Sequence, residues 1–197
     1  MLKVTLFVVA AVVVILAAIL WRPAAASSGQ PGLQTTPRVD LLRYMGSWYE
    51  IARLDHRFQK DCIGSSAEYT LRSDGEVDVL NRCVSGKDGS RREAKGRAWS
   101  VDPVTNSRLK VSFFWPFRGD YWIVELGENY EYSVVGSPDR KYLWVLAREP
   151  VMDETLYSGI VERLRRLGYP VDSLVRRPLE GKLKDAKNDI KGKVNHD

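Results

Sequence analysis

Side chains capable of nucleophilic or metal chemistry are scarce in this chain. Its 197 residues include two cysteines, Cys62 and Cys83, and two histidines, His56 and His196. A reactive thiol needs a neighbouring base or cation to hold it as thiolate, and neither cysteine has a histidine close by in sequence. There is no Ser-His-Asp ordering, no cluster at metal-ligand spacing and no phosphate-cradling glycine loop, so no catalytic residue, metal or cofactor is expected. The two cysteines flank the strand-like runs Ser65–Leu71 and Glu76–Cys83, which enclose the turn signal Ser73-Asp74-Gly75. Folding about that turn brings Cys62 and Cys83 together at the open end of a hairpin, where a structural disulfide is expected. A free, nucleophilic cysteine is the competing reading and would make the protein an enzyme.

Aromatic side chains supply the other candidate chemistry. Phe113, Phe114, Trp115 and Phe117 are nearly consecutive and Pro116 interrupts them. Strand alternation cannot bury all four, so some must reach the surface as an apolar patch suited to ligand entry, membrane contact or a protein interface. Arg118 follows directly, with a charge that could meet a carboxylate or phosphate. Alternation also groups Tyr132 with Val134, Tyr142 with Trp144 and Leu146, and Trp122 with Val124. These seven, with Phe113, Phe117 and Arg118, are the candidate ligand-binding residues. Plain core packing accounts equally well for any one of the aromatics.

The elements that position them are short strands. Candidates run over 48–54, 65–71, 76–83, 94–101, 108–113, 121–126, 130–136 and 142–148, separated by turn chemistry such as Lys87-Asp88-Gly89, Asp102-Pro103, Gly127-Glu128-Asn129 and Ser137-Pro138-Asp139. The expected fold is all-β: eight antiparallel strands in a meander, closed into an up-and-down barrel that removes both edges. One helix follows, with Asp153 as its cap, Leu156, Ile160, Leu164 and Leu167 as its apolar stripe, and Gly168 ending it. A single stripe places this helix against the outside of the barrel. Eight strands enclose either a filled core or room for one small ligand.

The formal charge of +5 first suggests a nucleic-acid or anionic-surface partner. Lys3 and Arg22 supply two of the five charges, and the segment 181–197, five lysines against three aspartates, supplies two more. A single excess charge is left for residues 27–180, too evenly mixed for a phosphate-binding face, so nucleic acid is not an expected partner. Residues 1–26, with an apolar run from Val4 to Leu20 and Ala24-x-Ala26, read as an export signal or an uncleaved membrane anchor. Residues 27–37 read as a linker, 38–180 as the folded domain and 181–197 as a charged, disordered tail. No cysteine precedes Cys62, so a lipoprotein thiol is not expected.

Gly46-Ser47-Trp48-Tyr49-Glu50, inside Tyr44 to Phe58, resembles the G-x-W motif of the lipocalins in the form found in bacterial outer-membrane lipocalins, which are similar to apolipoprotein D. Leu109 to Phe114, Pro116-Phe117, Ser137 to Arg140 and Tyr142 to Arg148 extend the resemblance over about 38–180. Gly127-Glu128-Asn129-Tyr130 stands where the family usually has a Thr-Asp-Tyr-like stretch. The resemblance implies a calyx closed at one end, with Gly46 and Trp48 at its base and Arg148 stacked across the indole, a structural pair. It also implies that Trp144 faces ligand, and that the protein binds, stores or transports fatty acids, lysophospholipids or phospholipids in support of membrane biogenesis or maintenance under stress. The expected location is exported, in the periplasm or membrane-associated. Expected partners are a lipid or other small hydrophobic molecule, a nearby membrane and, at a protein interface, a second copy as a homodimer. A cysteine-nucleophile enzyme and a pigment or tetrapyrrole carrier are the alternatives on the same scaffold.

Overall fold

The computed structural model describes residues 32–176. The expected leader or anchor, residues 27–31 of the linker and the charged tail lie outside the described residues.

Alternating apolar and polar residues between Gly-, Asp- and Pro-bearing turns produce eight antiparallel strands: β1 (Gly46–Leu54), β2 (Cys62–Leu71), β3 (Val77–Ser85), β4 (Arg91–Ser100), β5 (Arg108–Phe114), β6 (Phe117–Leu126), β7 (Tyr132–Gly136) and β8 (Leu143–Ala147). Each pairs with the next, and β1 pairs with both β2 and β8, which closes the barrel. The sequence missed a ninth strand, β9 (Leu174–Arg176). It pairs with Ala52, Arg53 and Leu54 of β1, on the edge that β2 leaves beyond Tyr49.

One end of the barrel is closed by the segment around α1 (Leu41–Tyr44), capped by the Asp40 carboxylate, which accepts from the Leu42 and Arg43 amides. The Val39 amide donates to Thr105 O at 2.7 Å and the Asp40 amide to the Tyr130 hydroxyl at 2.8 Å. The crossing is thereby tied to the β4–β5 and β6–β7 loops. Within the segment expected as a linker, Leu33 is buried, the Thr36 amide donates to Ile123 O, and Thr35 Oγ1 meets Ser107 Oγ at 2.9 Å.

α2 (Glu154–Arg166) starts at Asp153, whose carboxylate accepts from the Leu156 amide. Its buried Ile160 and Leu164 pack with Val134, Leu143 and Val145 on the outer barrel face. Arg163 grips Glu125 of β6 through Nε and Nη2 at 2.6–3.1 Å. A second apolar cluster, including Val39, Trp48, Val79, Leu109, Ile123 and Val135, lies inside the barrel.

Candidate functional site

The closed base is built around Trp48, which has no exposed surface and donates from Nε1 to Tyr44 O at 2.9 Å. Arg148, just past β8, lays its guanidinium 3.9 Å from the centre of the indole ring. It donates to Ser47 O at 2.9 Å, Arg43 O at 2.8 Å and Tyr130 O at 3.4 Å. Cation–π attraction and three carbonyls thus fix one side chain across the floor. Gly46 has φ +91°, and a Cβ there would lie 3.4 Å from Arg148 Nη1, so a left-handed backbone and the passing guanidinium both call for glycine. Tyr130, from the loop where the family motif is degenerate, still serves the base: it accepts from Asp40 and carries Arg43 4.1 Å above its ring.

Above the floor is a cavity of about 720 Å³. Its apolar waist includes Ala67, Val79, Leu109, Val111 and Val135. Of the expected ligand-binding residues, Phe113, Phe117, Arg118, Tyr142, Trp144 and Leu146 line it. Tyr132, Val134, Trp122 and Val124 do not, and for these four the expectation is corrected. Directly paired residues share a face. Val135 opposite Trp144 and Ser133 opposite Leu146 point inward, so Val134 opposite Val145 and Tyr132 opposite Ala147 point outward. Trp122 and Val124 likewise pack against the cluster under α2. Alternation tells which residues share a face and not which face is inner. Here both faces are apolar, because α2 covers the outer one.

A bulge at Ile51 produces a feature that the sequence pattern hid. Glu50 pairs with Leu146 and Arg53 with Trp144, so two residues three apart both face the interior. They are each 6% exposed and bridge at 2.7 Å. Gln59, in the 3₁₀ turn Arg57–Gln59, ties them to the wall: its Nε2 donates to Glu50 Oε2 at 2.6 Å, and its Oε1 accepts from Trp144 Nε1 at 2.8 Å. His56 lies 5.2 Å from Trp144 and 5.7 Å from Tyr142, ring centre to ring centre. The Gln59 side chain is its polar neighbour. Burial, reinforced by the Arg53 charge, holds its imidazole below the usual histidine value.

The mouth lies at the opposite end from α1. Phe114, Trp115 and Phe117 are 77%, 78% and 77% exposed at the tip of the β5–β6 hairpin, and Phe58 is 69% exposed on the β1–β2 loop. The Trp115–Pro116 bond is cis. Phe113 is pulled back over β4, where a Cβ on Gly96 would come within 2.7 Å of its ring and 2.8 Å of Ser112 O. Exposed Arg57, Lys60, Arg91, Arg92 and Arg118 stand on the same rim, against Asp55, Asp61 (paired with Lys87) and Asp88. Cys62 and Cys83 also line the cavity. They form the expected disulfide, with Cα atoms 5.7 Å apart, and leave no free cysteine.

The profile of the lipocalin-like domain family matches residues 39–179. The chain is a lipocalin. It is 42% identical over 137 residues to the outer membrane lipoprotein Blc of Vibrio cholerae, an alignment covering 69% of this chain and 80% of the relative. With Blc of Escherichia coli the identity is 37% over 153 residues, covering 77% and 86%. Among solved structures, insecticyanin of the tobacco hornworm Manduca sexta superposes with TM-score 0.62 at 18% identity, over 76% of this lipocalin and 85% of that chain. This last likeness is one of fold.

Deeper in the lipocalin cavity, Tyr44, Tyr69 and Tyr121 bring their hydroxyls together with Ser133. Sequence reading overlooked this group. Alternation in Ala67-x-Tyr69-x-Leu71 puts Tyr69 on one face of β2, but its partners come from three other segments. Burial raises all three phenols, Tyr44 to about 12 and the other two further, so they are neutral donors at physiological pH.

Proposed function

We propose that this lipocalin binds, stores or transports lipids, namely fatty acids, lysophospholipids or phospholipids, within the barrel, in support of membrane biogenesis or maintenance under stress. The observation that carries the reading is the cavity of about 720 Å³ with an apolar waist and an aromatic mouth. That size is in the range of small-molecule sites, roughly 300–1,000 Å³. Each buried CH₂ is worth about 0.8 kcal/mol, so about ten of them supply about 8 kcal/mol, the scale of micromolar binding before ordering costs. The alternative of a cysteine-nucleophile enzyme lacks its nucleophile, since both thiols are spent in the disulfide.

The rim supports loading directly from a bilayer. Phe58, Phe114, Trp115 and Phe117 can enter the interfacial layer while the surrounding arginines and lysine meet anionic headgroups. Relatives named as outer membrane lipoproteins support an exported, envelope location, to which the apolar run Val4–Leu20 would deliver the chain.

Native mass spectrometry of the purified protein, followed by titration with lysophosphatidylcholine read by tryptophan fluorescence, tests the carrier reading. A stoichiometric acyl ligand and a saturable signal from Trp144 are expected. A barrel that takes up no acyl probe at saturation overturns it. For loading, Trp115→Ser, at an exposed mouth residue that does not line the cavity, should weaken binding to phosphatidylglycerol vesicles about tenfold without altering lysolipid affinity in solution. Unchanged vesicle binding removes the membrane step.

A further inference from the structure

We propose that the floor of the cavity is a hydrogen-bond donor site that receives an acceptor oxygen carried on the inward end of an otherwise apolar lipid. The proposal rests on the carrier reading above and specifies the ligand class. Four hydroxyls meet at the floor. Tyr121 donates to Tyr69 at 3.0 Å. Tyr44 and Tyr121 are 2.8 Å apart, and Tyr44 and Ser133 are 3.0 Å apart.

Each hydroxyl has one proton, and this fixes the direction of the chain. The Tyr121 proton is used on Tyr69, so the bond between Tyr44 and Tyr121 is donated by Tyr44. The Tyr44 proton is then used as well, so Ser133 donates to Tyr44. The result is a one-way relay, Ser133 to Tyr44 to Tyr121 to Tyr69, in which each bond polarises the next. Its last proton, on the Tyr69 hydroxyl, meets no acceptor among the described residues.

Tyr69 faces inward on β2 and lines the cavity, with 7% of its surface open. Val79 stands directly across the ladder from it, and Ala67 and Val77 share its apolar cluster; none of these three offers an acceptor to the proton. Burial keeps the phenols neutral, so the terminal group is a donor throughout the physiological range. The Arg148 charge beneath the floor interacts with all three tyrosines and favours an electronegative atom there. A methyl-ended chain seated against the floor leaves the donor unsatisfied, which is unfavourable. A chain ending in a hydroxyl, carbonyl or carboxyl oxygen completes the relay.

The test uses two lysophosphatidylcholines whose zwitterionic head stays at the mouth, so that the acyl end enters first: ω-hydroxyhexadecanoyl, and heptadecanoyl with a methyl in place of the hydroxyl. The intact protein should bind the hydroxyl-tipped probe at least as tightly as the methyl-tipped one. In Tyr69→Phe the hydroxyl-tipped probe should weaken about tenfold, with the methyl-tipped probe nearly unchanged. Retained binding of the methyl-tipped probe shows that the variant folds. The proposal is overturned if the intact protein disfavours the hydroxyl tip by about tenfold or more, a ranking that needs no variant, or if Tyr69→Phe moves both probes alike. Failure of the intact protein to bind either probe is a different result, the failure of the carrier reading itself.

Discussion

Replacing Arg148 with methionine isolates what holds the base of the barrel shut. Methionine keeps an aliphatic stem of similar reach, so lost packing is small and the change removes mainly the guanidinium. Two hydrogen bonds to carbonyls, at 2.9 Å to Ser47 and 2.8 Å to Arg43, disappear at about 1 kcal/mol each. The contact with the Trp48 ring at 3.9 Å adds about 1 kcal/mol. The bond to Tyr130 O, at 3.4 Å, is long enough to leave out. The total, about 3 kcal/mol, corresponds to a fall in Tm of about 6–12 °C for a domain of this size. Thermal unfolding followed by circular dichroism with the disulfide intact measures it. Arg148→Lys should fall between the two, because an ammonium can stay over the indole but lacks the planar fork that serves two carbonyls. Arg72→Met is the control. It also loses two partners, Asp74 and Asp78, but in an exposed turn, where such pairs contribute little. The reasoning fails if Arg148→Met melts within about 2 °C of the parent, or no lower than Arg72→Met.

Three further outcomes follow from the structure. Cys62→Ala with Cys83→Ala opens a loop of sequence separation 21 and should lower unfolding free energy by about 3 kcal/mol, read by urea titration under non-reducing conditions. Gly96→Ala must displace the Phe113 ring and press on Ser112 O, and should cost about 1–3 kcal/mol while weakening acyl binding in the same fluorescence titration. In alkaline solution, absorbance at the phenolate band should show exposed tyrosines ionising first and Tyr44 only near 12. The folded values of Tyr44, Tyr69 and Tyr121 lie above the unfolded one of about 10. Their contribution to stability is therefore complete below that pH and is lost as pH rises through the folded values, so an unfolding free energy that stays flat from pH 10 upward would refute the burial of this group.

Turn chemistry made most of the fold legible: Gly75, Gly89, Pro103, Asn129 and Pro138 sit between strands whose observed limits lie within a few residues of those expected. Asp153 capping α2 and the Trp48–Arg148 base were readable for the same reason, since each depends on local chemistry or on a motif. What escaped depends on pairing across the barrel. β9 exists because β2 departs from β1 beyond Tyr49, an event that three residues at 174–176 do not encode alone. Glu50 and Arg53 share the interior because of a single extra residue at Ile51, and a bulge leaves no mark in alternation. The inner and outer faces of β6 and β7 were exchanged because α2 makes both of them apolar. The hydroxyl relay joins residues as far apart as Tyr44 and Ser133, which only the closed barrel brings together.

These hidden polar groups also explain how the wall of the cavity can be apolar while carrying a carboxylate, a guanidinium, an amide and an indole N–H. The Trp144 N–H is spent on Gln59, the Glu50 carboxylate on Gln59 and Arg53, and Arg53 Nη2 additionally on the carbonyls of Gln59 and Cys62. With its polar edge engaged, Trp144 presents its ring to the cavity, extended by Tyr142 stacked at 8° with centres 6.1 Å apart. Around Trp144 most polar groups engage one another, with Arg53 Nε outside these bonds, and the ring faces left over form an aromatic surface suited, on the carrier proposal, to an acyl chain. At the floor the relay ends on an unspent proton at Tyr69. On the carrier proposal, discrimination between chain termini belongs to the deep end, where the unspent Tyr69 proton would tell an oxygen tip from a methyl.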